Sequence, residues 1–308
     1  MSSGGTDRRG QSIQQRLRNS LGPDLTLGMQ RYAVERFLYR LGRSSLRERY
    51  VLEGATLFAI WGTAYRPTRD IDFTGYGSSD PDDVIRDIRE ICDIPDPVDP
   101  LVFDTDTITA EPIRDGSEYD GLRVRIRARL GRSEILVQID VGFGNAIVPA
   151  AEETEVRTIL GDPSPQILAY PRESVVAEKL NAMVTLGERN SRYKDFYDLH
   201  AIANGFPFDK NTVVRAVRAT FERRSTPITK SLAAPPTAPF FADGERQTQW
   251  RTYVTRNGRD GVPTDFQQVG DLLARFLRPV WEALGISGEN AGDWPPGGPW
   301  STTGDLHR

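Results

Sequence analysis

The sequence predicts an α+β fold, with an α/β front half of about 50 to 148 and a mainly helical back half. Three observations carry that prediction. Between about 101 and 148 apolar residues recur at every second position, as in strands whose alternate side chains face a core. After Pro149 they recur at helical spacing. Ahead of both, short apolar runs broken by glycine read as strand, turn, helix and strand.

Taken in order, residues 1–22 are polar and Gly-rich and are expected as a flexible N-terminus. Residues 25–46 place Met29, Tyr32, Ala33, Phe37, Leu38 and Leu41 on one helical face. Tyr50-Val51-Leu52 reads as a strand, Gly54-Ala55-Thr56 as a turn, 57–61 as a helix, and the segment with Ile71 and Phe73 as a second strand bearing Asp70 and Asp72. Asp80-Pro81-Asp82-Asp83 starts a helix, with proline near its first position and acids in its first turn; Val84, Ile85, Ile88 and Ile91 are its buried stripe. Residues 107–113, 122–130 and 134–141 are expected as antiparallel strands, turned at Asp115-Gly116 and Gly131-Arg132. Helices are expected at 174–186, 194–203, 210–223 and 265–284, with a loop at Ala233-Ala234-Pro235-Pro236. The chain thus divides into a flexible start at 1–22, a sheet-bearing domain at 23–150, a helical domain at 151–285 and a Gly/Pro-rich tail at 286–308.

A formal charge of -4 excludes a whole-molecule basic field for nucleic acid, though not a local patch. One cysteine, Cys92, excludes an intrachain disulfide and any cysteine-rich metal site, and fits a reducing compartment. No stretch reaches the ~18 to 20 apolar residues that span a bilayer, and the start lacks the apolar core of a signal peptide, so the cytoplasm is the expected location. Only four lysines stand among many arginines: Lys179, Lys194, Lys210 and Lys230. A lysine in an apolar context therefore stands out, and Lys179 lies beside Val175, Val176, Leu180 and Met183.

Residues two apart on a strand share a face, so Asp70 and Asp72 present their carboxylates side by side while Ile71 and Phe73 anchor the other face. Such a pair suits Mg²⁺, a hard cation held by one or two carboxylates together with substrate phosphates. Asp140 ends an apolar strand and is the candidate third ligand. Another reading stays open: Asp70 and Asp72 pair with Arg66 and Arg69, and Asp140 caps the turn at 142–144. Gly54-Ala55-Thr56 adds a strand-to-helix turn whose N–H groups and hydroxyl can hold a triphosphate.

Four separated blocks between about 50 and 199 resemble the AbiEii/MenT-type nucleotidyltransferase toxins, relatives of DNA polymerase beta. They are Leu52-Glu53-Gly54-Ala55-Thr56, Arg66-Pro67-Thr68-Arg69-Asp70-Ile71-Asp72-Phe73, Ala177-Glu178-Lys179-Leu180-Asn181-Ala182 and Arg192-Tyr193-Lys194-Asp195-Phe196-Tyr197-Asp198-Leu199. Ala55 departs from the second glycine or the serine that the family usually carries.

The resemblance implies a polymerase-beta-like core, a mixed twisted sheet with flanking helices, and a helical domain that completes the active site. It implies catalytic roles for Asp70, Asp72, Lys179 and Asp195, with Mg²⁺ or Mn²⁺ on Asp70 and Asp72 and, at the third strand acid, on Asp140. Gly54, Ala55, Thr56, Arg66 and Lys179 would bind an NTP co-substrate. The acceptor implied is the 3′ end of tRNA, with loss of aminoacylation and translation, and the partner implied is a cognate AbiEi-like antitoxin.

Thr68, two residues before Asp70, is a candidate regulatory phosphosite, because a phosphate would add charge beside the metal site. For Lys179 the alternative is pairing with Glu178 or Asp195; for Asp195 it is pairing with Arg192 and Lys194. Arg123, Arg125, Arg127 and Arg129 share one strand face. They read either as a cationic stripe for RNA phosphates, extended by Arg215, Arg218, Arg223 and Arg224, or as a solvated face balanced by cross-strand acids such as Glu111 and Glu134. Transfer to a protein or small molecule, or a catalytically silent partner-binding module, are the other functions open at this point.

Overall fold

The computed structural model describes residues 3–21, 24–62, 70–96, 99–113, 121–228, 237–257, 261–285 and 291–301. The fold is a mixed α/β arrangement with a mixed central sheet, flanking helices and a helical C-terminal region. The chain divides into two compact units. One holds the described residues of 1–60, 68–144 and 152–169; the other holds those of 61–67, 145–151 and 170–308.

The first unit is built on a seven-stranded sheet. Its strands are β1 (Tyr50–Glu53), β2 (Asp70–Gly75), β3 (Val102–Ile113), β4 (Gly121–Leu130), β5 (Ser133–Phe143), β6 (Glu152–Glu155) and β7 (Gln166–Ala169), in the spatial order β3-β4-β5-β2-β1-β7-β6. β2 pairs parallel to β5 and antiparallel to β1, and β1 runs parallel to β7. The three long period-two segments are β3, β4 and β5, paired antiparallel as expected. The Asp115-Gly116 turn between β3 and β4 lies outside the described residues.

Helices α1 (Ser3–Leu21), α2 (Leu25–Arg43), α3 (Thr56–Trp61) and α4 (Pro81–Asp93) accompany this sheet. α2 buries Phe37, Leu38 and Leu41 completely, and Phe37 meets Phe73 of β2 at 6.3 Å between ring centroids. Three of its charged residues, Glu35, Arg36 and Arg40, are buried too: Arg40 lies 2.9 Å from Asp99 and Arg36 lies 3.6 Å from Asp96. Glu35 accepts from Ile159 N–H at 3.0 Å, and burial pushes its carboxyl up to about 7. α4 begins as the sequence predicts, with Asp80 capping Asp82 N–H at 2.9 Å and Pro81 in the first turn.

Two parts of this unit differ from the sequence expectation. Residues expected as a flexible start form α1, which buries Leu17 and whose Gln14 donates to the Leu130 carbonyl at 2.7 Å. The polar, Gly-rich composition hides Ile13 and Leu17, one turn apart, and hides Gly10, whose missing side chain admits the Gly131 backbone. The sheet also does not end near 150. β6 and β7 add two strands at one edge, each of four residues and too short for a period to show.

The second unit contains α5 (Arg172–Leu186), a 3₁₀ turn (Gly187–Arg189), α6 (Tyr193–Gly205), α7 (Lys210–Arg223), α8 (Ala238–Ala242), α9 (Gly244–Asn257) and α10 (Phe266–Leu284), with β8 (Phe208–Asp209) paired to β9 (Asp293–Trp294). Its core includes an aromatic cluster in which Phe266 contacts Phe196, Phe240, Phe241 and Trp250 at 4.7 to 6.1 Å. The described part of the expected tail belongs to this unit. Trp294 is fully buried and donates to the Ala203 carbonyl at 2.8 Å. The 233–236 loop lies outside the described residues. No helix among the described residues is long and apolar enough to cross a membrane.

Candidate active site

In the first unit the candidate site grows from β2. Ile71 and Phe73 are buried in the core, which leaves Asp70 and Asp72 half-buried on the other face, as strand geometry requires. The register then brings charged residues of five strands into one row. Glu53 on β1 stands opposite Asp72, Asp72 opposite Asp140 on β5, Asp140 opposite Arg123 on β4, and Arg123 opposite Glu111 on β3. The sequence reading named Asp72, Asp140 and Arg123 but missed Glu53. Its only sequence signal is its place immediately before Gly54.

Gly54 is where β1 comes closest to the paired acids. Its φ of +74° is a left-handed conformation that glycine adopts without strain. A Cβ there would overlap the Asp72 carboxylate, with Asp72 Cγ only 2.7 Å away. Gly54 is therefore required twice, by its backbone angle and by the close approach of Asp72. Ala55, the departure from the family pattern, is only 2% exposed, so its methyl packs inside the protein. Thr56 opens α3 with a buried hydroxyl oxygen that has no hydrogen-bond partner. Burying such a group unpaired is unfavourable, and an added acceptor or donor would offset the cost.

Asp140 behaves differently from the expected third ligand. Arg123 grips it with both arms of the guanidinium, Nε to Oδ1 at 2.9 Å and Nη2 to Oδ2 at 2.7 Å. Among the described residues no group of three or more His, Cys, Asp and Glu side chains is arranged to hold a metal ion. What remains is a two-carboxylate donor set, Asp70 and Asp72, made of hard oxygens on one half-buried face. Such a set fits Mg²⁺ or Mn²⁺, which completes its shell with water and phosphate oxygens.

Three of the four arginines in the β4 row have acidic partners. Arg123 pairs with Asp140 at 2.7 Å, Arg125 with Glu111 at 2.9 Å and Arg127 with Glu134 at 3.8 Å. These are the cross-strand pairs that the solvated-face reading expects. Arg66, Thr68 and Arg69 lie outside the described residues.

In the second unit, Lys179 projects from α5 toward two acids of α6, with Nζ 3.0 Å from Asp195 Oδ1 and 2.7 Å from Asp198 Oδ2. Arg192 Nε lies 2.7 Å from Asp195 Oδ2. Both aspartates are almost fully buried, whereas the Lys179 side chain keeps 15% of its surface exposed. Burial alone would raise the Asp195 carboxyl, but the Lys179 ammonium, the Arg192 guanidinium and the Lys179 hydrogen bond together hold it below the usual carboxylate range. Glu178, one residue earlier, is pushed up by burial despite Arg224 and the Tyr170 hydroxyl that donates to it at 3.3 Å. Asp198 makes the shorter of the two lysine contacts. Of the pairings the sequence offered as alternatives, Lys179–Asp195 and Arg192–Asp195 are thus formed.

A family model described as nucleotidyl transferase AbiEii toxin, type IV toxin–antitoxin system, matches residues 36–272. No curated protein matches the chain. Among solved structures it is similar to a candidate nucleotidyltransferase from H. pylori, at 14% identity and a TM-score of 0.48, over 87% of this chain and 100% of that one. It is also similar to JHP933 from Helicobacter pylori, at 14% identity and a TM-score of 0.45, over 81% of this chain and 89% of that one.

Proposed function

The chain belongs to the AbiEii nucleotidyltransferase toxin family, and from that premise we propose that it transfers a nucleoside monophosphate from an NTP to the 3′ acceptor end of tRNA, so blocking aminoacylation and translation. The observation that carries the transfer chemistry is the approach of Gly54 to Asp72, with the unsatisfied Thr56 hydroxyl two residues on. A carboxylate beside a glycine turn and an unspent hydroxyl is an arrangement for phosphate oxygens held next to a cation.

In this reading Asp70 and Asp72 hold the divalent cation, Mg²⁺ or Mn²⁺, which supplies neutralisation of the triphosphate and activation of the acceptor hydroxyl. Gly54 lets the backbone approach the phosphates without a side chain in between, and Thr56 hydrogen-bonds one of their oxygens. Glu53 and Arg123 fix the two edges of the acidic row, Glu53 by accepting from Thr74 Oγ1 at 3.1 Å and Arg123 by holding Asp140. Phosphoryl transfer asks little covalent work of a protein, so positioning and charge are the main contributions of these residues. For Lys179 and Asp195 a role toward the nucleotide is proposed on the family resemblance, and their ion pairs support a structural role as well.

A cognate antitoxin follows from membership of a type IV system. We place Thr68 as the residue through which such a partner acts by phosphorylation, which intact-mass measurement after co-expression would show.

The decisive experiment incubates the purified chain with total tRNA, Mg²⁺ and each labelled nucleoside triphosphate in turn. Label on tRNA is expected with at least one of them. A folded sample that labels no RNA with any of the four sinks the tRNA reading, and label that migrates with protein or small molecules redirects the acceptor.

A further inference from the structure

Asp140 and Arg123 meet within the acidic row of the first unit. Of the acids on β5, the register sets Asp140 beside Asp72, whereas opposite Asp70 the same strand carries Gln138, a neutral amide. Neighbouring strands lie about 4.8 Å apart, so the Asp140 carboxylate stands within reach of an ion held by Asp72. Its pairing decides whether it can serve as a third oxygen ligand.

Both of its oxygens accept from one guanidinium, Oδ1 from Nε at 2.9 Å and Oδ2 from Nη2 at 2.7 Å. This is the planar fork that arginine forms with a carboxylate and lysine cannot. Arg123 stands directly opposite Asp140 in the antiparallel pairing of β4 with β5, so the backbone holds both ends of the contact. The Asp140 side chain keeps only 18% of its surface exposed. Arg125, the next arginine on this face, stands opposite Gln138 and donates instead to Glu111 on β3.

Handing Asp140 over to a divalent ion would be unfavourable for two reasons. Two charge-assisted hydrogen bonds would be given up, and the released guanidinium would remain beside the incoming dication, like charge against like charge. The ion has little to gain in return. Mg²⁺ dehydrates reluctantly and is usually held by one or two carboxylates with water and phosphate oxygens, a requirement that Asp70 and Asp72 meet.

We propose that Arg123 is a fixed cation that holds Asp140 out of metal coordination, so that this sheet face takes a single divalent ion, on Asp70 and Asp72. The guanidinium supplies from the chain itself the positive charge that a second ion would bring to this side of the row. Arg123 is therefore a positioning residue, acting on the metal site through Asp140. The identity of the ion rests on the nucleotidyltransferase reading above.

The test counts Mn²⁺ bound to the full chain, with no nucleotide present, from the electron paramagnetic resonance signal of the free ion during titration. Wild type is expected to bind one ion. Arg123→Gln releases Asp140 beside Asp72 and should tighten Mn²⁺ binding about tenfold or more, or add a second ion. The double substitution Arg123→Gln with Asp140→Asn replaces the charged pair by a neutral one of similar shape, which protects folding. It should return both the count and the affinity to within about threefold of wild type. Wild-type Mn²⁺ binding by Arg123→Gln overturns the proposal, since a merely structural cross-strand pair would move the unfolding midpoint and leave the titration alone. A loss of about tenfold or more in the double variant overturns it too, because Asp140 would then ligate the ion in the wild-type chain. If no acceptor is ever labelled while the titrations follow the expected order, the transfer reading falls and the role of Arg123 stands.

Discussion

On β2 and its two neighbours the carboxylates of Glu53, Asp72 and Asp140 come into register on one sheet face, whereas in the helical unit Asp195 and Asp198 are buried and meet Lys179 and Arg192 directly. Like charges opposite one another on adjacent strands repel. Arg123 answers Asp140 at one end of the row, and under the proposed function a divalent cation at Asp70 and Asp72 would add to that compensation. In the helical unit the compensation comes from the chain itself, two cations for two acids, and removal of any member strands a buried charge. The same residue types thus predict different consequences: substitutions on the sheet face should cost activity, and substitutions in the helical cluster should cost stability first.

The largest expected effect is on the sheet face. Asp72→Ala should lower nucleotide transfer by about a hundredfold or more, the scale on which removal of one transition-state stabilising group acts, while the urea midpoint stays close to wild type. A variant that folds and labels RNA at the wild-type rate would break the comparison, because the acidic row would then be only structural.

Lys179→Ala sharpens the other side. It leaves Asp195 and Asp198, each almost fully buried, without their shared ammonium, and should destabilise the protein by about 3 to 5 kcal/mol, measured by urea unfolding. Loss of transfer with unchanged stability would instead show that the nucleotide role implied by the family resemblance dominates. Gly54→Ala falls between the two: a non-glycine residue at φ +74° together with the overlap on Asp72 should cost about 1 to 3 kcal/mol and most of the activity.

Much of this was legible from the sequence because it rests on local periods. The alternation of Ile71 and Phe73 with Asp70 and Asp72 is a property of any strand, and the Asp80-Pro81 helix start needs only its own few residues. Glu53 and the Arg123–Asp140 pair were not legible, since they depend on which strands become neighbours and in what register. The order β5-β2-β1-β7 is set by packing across more than a hundred residues of sequence. Lys179 was singled out by its rarity and apolar flanks, but rarity says nothing about what the ammonium touches.

Glu35 and Asp195 answer pH in opposite directions. Glu35 of α2 has its carboxyl raised from 4.5 to about 7 by burial, so the folded state binds a proton that the unfolded state has released. Its contribution is full below pH 4.5 and lost as pH rises toward 7. Asp195 is held below the usual range, so its contribution is present above that range and lost only as pH falls through its lowered value. Above pH 4.5 stability should therefore decline with pH, and Glu35→Gln should lessen that decline, which Asp99 and Glu178, also raised by burial, share, while leaving in place the acid limb to which Asp195 contributes.

The smallest effect is expected on the β4 arginine face, where charge balance separates an RNA-binding stripe from a solvated sheet. Arg125 and Glu111 form a largely exposed pair at 2.9 Å, worth at most about 1 kcal/mol. Arg125→Ala should shift the unfolding midpoint only slightly. If the row is balanced, the same substitution should leave the KM for RNA within about twofold and its salt dependence unchanged. A row that bound phosphates would instead lose about one unit of the salt slope with each arginine removed. The KM for RNA at two ionic strengths decides between these outcomes, and a changed slope would move the acceptor's docking surface onto β4 despite its cross-strand acids.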